Sequence, residues 1–145
     1  MESSLKKIKI AILGATGATG KEIVRYARNH EHVDELTLIV QRTLEEWKQE
    51  AFKCKLNVIE MPDYEDLSPL KERLQDYDVF MSTLGSRVKV GAVEYRRVEV
   101  QYPMNFARLG REIGVPEFYI VSSTGSNSKS WLLLPKVKGE IEEAL

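Results

Sequence analysis

Short, β-branched apolar runs alternate along this chain with stretches that carry apolar residues at helical spacing. Ile8-Lys9-Ile10-Ala11-Ile12-Leu13 is apolar and stops at Gly14, the pattern of a buried strand. From about residue 18 to 30, Ile23, Val24 and Ala27 fall on one helical face. Residues 35–40 (ELTLIV) read as a second strand. Thr43 is placed to cap a helix running to about Cys54, with Glu46 three residues on completing a capping box. Residues 56–61 form a third strand ended by Pro62, and Ser68-Pro69 opens a short helix to about Gln75. Residues 78–83 (DVFMST) read as a fourth strand, closed by Gly85. Residues 93–113 predict a long helix stopped by Gly114, which Pro103 should bend or break in its first part. Residues 117–123 (EFYIVSS) give a fifth strand, 124–130 have loop composition, and 136–145 begin another helix.

Strands alternating with helices imply βαβ units with right-handed crossovers. The expected fold class is α/β: a Rossmann-type, doubly wound parallel sheet with helices on both faces, spanning residues 1–145 as one domain. Such sheets bind ligands at the carboxyl ends of their strands, beside the point where strand order reverses.

Composition then narrows the chemistry. Among 145 residues, Lys plus Arg is 21 and Asp plus Glu is 22, so the net charge is −1 and a dedicated nucleic-acid binder is disfavoured. One cysteine, Cys54, allows no internal disulfide and reads as a spectator thiol; with two histidines it cannot fill the usual four-ligand zinc site, so no metal is expected. No apolar run approaches the roughly 18 residues of a membrane span, and residues 1–7 lack a signal-peptide core. The expected location is cytoplasmic.

The strongest local signal is Gly14-Ala15-Thr16-Gly17-Ala18-Thr19-Gly20, directly after a buried strand and opening a helix. In such a loop the first glycine permits the tight turn, the second lets backbone approach a pyrophosphate, and the third lets helix pack close to strand. The exposed amides and the positive end of the helix dipole face the anion. The spacing is G-x-x-G-x-x-G, one residue longer in the first turn than the commonest dinucleotide fingerprint. It is not an NTPase loop, because Gly20-Lys21 is followed by Glu22 rather than Ser or Thr.

The second strand bears on coenzyme choice. NAD-selective sites place a carboxylate about 20 residues past the loop, where it binds the ribose 2′-hydroxyl. Here the strand runs into Val40-Gln41-Arg42, with a guanidinium where the acid would be. Arginine's planar fork suits a phosphate, so NADP(H) is expected over NAD(H). Thr83-Leu84-Gly85, after the fourth strand, lets backbone come near the adenosine side. Ser122-Ser123, after the fifth, puts hydroxyls where the nicotinamide should sit. Lys138 follows on the last helix.

Taken in order, the Gly14–Gly20 loop, Gln41-Arg42, Thr83-Leu84-Gly85, Ser122-Ser123 and Val137-Lys138-Gly139-Glu140 make the chain resemble the atypical short-chain dehydrogenase/reductase superfamily, in its Tat-interacting oxidoreductase-like branch. The resemblance runs from about Ile8 to Leu145. It implies an NADP(H)-binding Rossmann domain and hydride transfer between carbonyl and alcohol by a Ser-Tyr-Lys group. Ser123 or Ser122 would hold the substrate oxygen, and Lys138 would lower the tyrosine pKa while holding the ribose; Ser122 and Lys138 also border the coenzyme. Two features depart from the family. The tyrosine position, four before Lys138, is Leu134, and no tyrosine follows Tyr119. Tyr102, on the long helix, is a weak substitute because catalysis demands positional precision. The chain also stops where family members continue into a substrate-binding portion.

Two functions follow as expectations. One is an NADP(H)-dependent oxidoreductase with an incomplete Ser-Tyr-Lys set, acting on a small molecule that the residues do not specify. The other is a non-catalytic NADP(H)-binding regulator or sensor working through protein partners. A sheet without its far strands exposes apolar surface, which favours a homodimer or another protein partner.

Overall fold

The computed structural model describes residues 6–84, 93 and 96–120. Five parallel strands form one sheet: β1 (Ile8–Leu13), β2 (Val33–Val40), β3 (Lys55–Glu60), β4 (Val79–Ser82) and β5 (Glu117–Ile120), in the order β3-β2-β1-β4-β5. Strand order reverses between β1 and β4, so the crevice at their carboxyl ends is the topological switch point. This is the expected Rossmann-type architecture. The expected helix at 136–145, the loop at 124–130 and the end of the fifth strand lie outside the described residues.

Helices cover both faces, which is why the central strands read as continuous apolar runs rather than alternating ones. On one face, α1 (Ala18–Ala27) lays Val24 and Ala27 against Ile12, Leu36, Leu38 and Val40. On the other, α2 (Tyr102–Ile113) and the segment through Leu67, Leu70 and Leu74 cover Leu13, Ile39 and Phe80. There Phe106 stacks on Phe80 with ring centroids 4.2 Å apart, and Phe118 meets Phe106 edge-on. Gly114 ends α2 in the left-handed region at φ 82°, as its position in the sequence predicts.

Two expected helices are corrected, and the long one changes winding at Pro103. From Thr43 to Cys54 there is only a 3₁₀ turn, Gln49–Ala51. The buried side chains are Trp47, Phe52 and Cys54, spaced by five and two residues, which no single helical face accommodates. The Gln49 amide instead bonds the Cys54 carbonyl at 2.9 Å and accepts from the Leu56 N–H at 2.8 Å, holding the segment irregular. From Ser68 the chain makes a single 3₁₀ turn, Ser68–Leu70, before looser turns. In the long helix, Pro103 marks a change of winding: a π-helical turn, Arg97–Gln101, gives way to α2 with Pro103 in its first turn, where a missing N–H is tolerated.

The polar residues within β2 and β3 form a network at the amino ends of the strands. The Glu35 carboxylate accepts from Asn57 Nδ2 at 2.6 Å and from the Tyr77 hydroxyl at 3.1 Å. Asn57 also donates to Thr37 Oγ1, which bonds the Tyr77 hydroxyl. Burial pushes the Tyr77 phenol up to about 12.

Candidate dinucleotide site

β1 leaves the sheet at Gly14, whose φ of +77° lies in the left-handed region. Its N–H donates to the Ile39 carbonyl at 2.9 Å, tying the exit to β2. From β4, the Thr83 hydroxyl donates to the Leu13 and Gly14 carbonyls at 3.1 and 2.9 Å. Leu84 packs over Gly14 so closely that a Cβ there would lie 2.1 Å from Leu84 Cδ2. Ala15 is fully buried, and a Cβ at Gly20 would come within 2.7 Å of its Cα, so α1 and the loop meet backbone to backbone.

Gly17 is different. It is the N-cap residue of α1, with φ −74° and ψ 171°, a conformation open to any residue. It is exposed, and a Cβ built there meets no atom of the described residues within 4 Å. No side chain caps the helix and no acid lies in its first turn. Gly14, Ala15 and Gly20 are therefore interior parts of the loop. Half-buried Thr16 and exposed Gly17, Ala18 and Thr19 form the surface that an anion can reach. A bare helix N-terminus with a clear approach is the arrangement that binds a diphosphate.

The exit of β2 is pinned on either side of Arg42. Gln41 Nε2 donates to the Pro62 carbonyl at 2.9 Å, and the Thr43 N–H donates to Glu60 Oε2 at 2.9 Å. The Thr43 bonds hold the Glu60 carboxyl below its ordinary range. Arg42, between these anchors, is exposed and makes no hydrogen bond or ion pair among the described residues. Reasoning from sequence missed Glu60 in this role, because only the β2–β3 register places it opposite Val40.

Thr83 and Leu84 lie at the carboxyl end of β4 as expected, but the Thr83 hydroxyl is spent inside the protein, on the loop's own carbonyls. Gly85, Ser122, Ser123, Leu134 and Lys138 lie outside the described residues. Tyr102 is buried edge-on against Tyr64, ring centroids 5.2 Å apart. Burial pushes the Tyr64 phenol above its usual range. Among the described residues, no three His, Cys, Asp or Glu side chains converge on a metal position, and no helix is long and apolar enough to cross a membrane.

Residues 9–96 match the family described as semialdehyde dehydrogenase, NAD binding domain. The chain belongs to that family. It is also 34% identical over 134 residues to Protein HTATIP2 of Rattus norvegicus, covering 92% of this chain and 54% of that protein. Against the Candida albicans protein named FMP52, mitochondrial, it is 31% identical over 135 residues, covering 91% and 58% respectively. The ordered motifs thus identified the right relatives, the Tat-interacting, atypical short-chain dehydrogenase/reductase group. The chain spans rather more than half the length of these curated relatives. Among solved structures, uronate dehydrogenase from Agrobacterium tumefaciens matches with a TM-score of 0.61 at 18% identity, covering 81% of this chain and 41% of that one. Bordetella bronchiseptica WbmG, in complex with NAD, matches with a TM-score of 0.60 at 18% identity, covering 83% and 39%. These likenesses establish the fold. The chain is an NAD(P)-binding Rossmann domain whose structural neighbours are dehydrogenases and epimerases of the short-chain type.

One expectation is overturned. Relatives from Candida albicans, Aspergillus niger and Lodderomyces elongisporus are named as mitochondrial proteins, against the cytoplasmic location expected here. That expectation rested on the lack of an apolar run, which tests for a secretory signal or a membrane span and not for organellar import.

Proposed function

We propose that the chain is the NADP(H)-binding domain of a short-chain dehydrogenase/reductase-like oxidoreductase with an incomplete Ser-Tyr-Lys set. The observation that carries the coenzyme reading is Gly17. The fold requires Gly14 for its positive φ and Gly20 for backbone contact, yet nothing among the described residues requires a glycine at 17. Its missing side chain clears an approach to an uncapped helix. The backbone of Thr16–Thr19 would hold the diphosphate, and Arg42 the 2′-phosphate. Its anchored neighbours hold the guanidinium in solvent with no competing carboxylate bond among the described residues. Ser123 or Ser122 would bind the substrate oxygen, and Lys138 the ribose, on the strength of the family resemblance.

When bound, the nicotinamide coenzyme supplies or takes up hydride. The chain's own residues would orient the substrate oxygen and organise the ribose. Leu134 cannot pass a proton, a step ordinarily worth 10²–10⁴-fold in rate. That one residue favours a second reading: a coenzyme-binding regulator that recognises protein partners, without turnover. Calorimetry with NADPH and NADH tests the first part; equal affinities would remove the NADP(H) preference. NADPH oxidation against a panel of aldehydes, ketones and quinones separates the two readings. Turnover supports the oxidoreductase, and tight binding without turnover supports the regulator.

A further inference from the structure

The sequence reading placed Thr83 against the coenzyme, but its hydroxyl points elsewhere. Thr83 is buried, its N–H donates to the Leu13 carbonyl at 3.0 Å, and its hydroxyl shares a proton between the Leu13 and Gly14 carbonyls. We propose that Thr83 is a positioning residue of the dinucleotide site, which sets the phosphate loop from β4 without touching the coenzyme. The proposal rests on the dinucleotide-binding reading above.

Geometry gives the route. A peptide unit is planar and trans, so holding the Gly14 carbonyl fixes the direction of the Ala15 N–H on its other side. Ala15 is fully buried and abuts the backbone of Gly20. The Gly14 peptide therefore seats Ala15, and Ala15 seats the first turn of α1, whose exposed amides form the anion surface. Leu84 closes the other side of Gly14, so β4 grips this one residue with a hydroxyl and an apolar side chain. β1 alone cannot provide this, because the Gly14 carbonyl has already left the ladder at a positive φ.

The test uses the full chain and Thr83→Val, which keeps the shape and removes the hydroxyl. Calorimetry would compare NADPH with adenosine 2′-monophosphate, which lacks the diphosphate. Amide hydrogen exchange at residues 14–20 would be read without ligand. NADPH affinity should fall about tenfold, the scale of losing a buried hydrogen bond, while the monophosphate changes less than about twofold. Exchange at residues 15–20 should quicken, and Thr83→Ser should restore NADPH binding to within about twofold. Unchanged NADPH affinity, equal losses for both ligands, or no rescue by serine would overturn the proposal. If the valine variant does not fold, Thr83→Cys, a weaker donor of similar size, should give an intermediate loss, and a wild-type affinity there would overturn it. If the wild-type chain binds neither ligand, the coenzyme reading fails by itself; the clamp then stands or falls on exchange at residues 15–20 in the ligand-free proteins.

Discussion

Replacing Gly17 by alanine adds one methyl group to the most open position of the phosphate loop. At φ −74° and ψ 171° the backbone accepts alanine, and no atom of the described residues lies within 4 Å of the new Cβ. A less flexible unfolded chain gains about 0.4–1 kcal/mol of stability, while alanine is a poorer N-cap than glycine, at a cost of about the same size. The net change should lie within about 1 kcal/mol of zero, a melting shift under about 4 °C for a chain of this length. On the proposed reading, the same methyl stands where the diphosphate would reach the helix amides. An overpacked contact of about 1–3 kcal/mol would weaken NADPH roughly 5- to 150-fold. Gly20→Ala provides the contrast. Its Cβ would lie 2.7 Å from Ala15 Cα and 2.9 Å from Ala15 C and O, all backbone atoms that cannot swing aside. A strain of about 1–3 kcal/mol should lower the melting temperature by roughly 2–12 °C. Thermal melts and calorimetry on the two variants decide the matter. If Gly17→Ala binds NADPH like the wild type, the open space is not the coenzyme's; if it melts as low as Gly20→Ala, the loop is not built as described.

Arg42→Ala should weaken NADPH by about 10- to 100-fold, the worth of charge-assisted hydrogen bonds, and leave NADH within about threefold; an unchanged affinity ratio by calorimetry would remove Arg42 as the selector. Tyr77→Phe should destabilise the fold by about 1–3 kcal/mol in urea titrations, because Thr37 and Glu35 lose a buried partner. Alkaline stability carries a sign. The folded Tyr77 phenol titrates near 12 against an ordinary value of 10, so between those values the unfolded state holds fewer protons and stability falls as pH rises. Below pH 10 this contribution is fully present, and Tyr77→Phe should flatten the decline measured between pH 10 and 12. Phe106→Ala should cost about 3–5 kcal/mol, since its ring is fully buried and stacked on Phe80; a loss below about 1 kcal/mol would contradict that packing.

How legible each part was in the sequence depends on where its partners lie along the chain. β1 could be read to the residue because a six-residue run, apolar at five positions, ends on a glycine, and both causes are local. The glycine loop was legible for the same reason: strand, turn and helix N-terminus are contiguous. The helix expected from Thr43 failed because a capping signal near at hand met a distant competitor. The Thr43 N–H goes to Glu60, on the neighbouring strand, and Trp47 and Phe52 are drawn onto the α1 face of the sheet. The short helix expected at Ser68 shrank to one turn where the segment lays Leu67, Leu70 and Leu74 on the opposite face. Thr83 shows the same limit inside the site. Its position at a strand end marked it as functional, yet which of its neighbours the hydroxyl would serve is a matter of β1–β4 register, which pairs Leu13 with Ser82. A threonine one residue past that pair meets the carbonyls of the departing β1 strand, and no pattern within residues 78–85 contains that information. Local spacing marked out the loop proposed to meet the coenzyme, and strand pairing decided which residues brace that loop from behind.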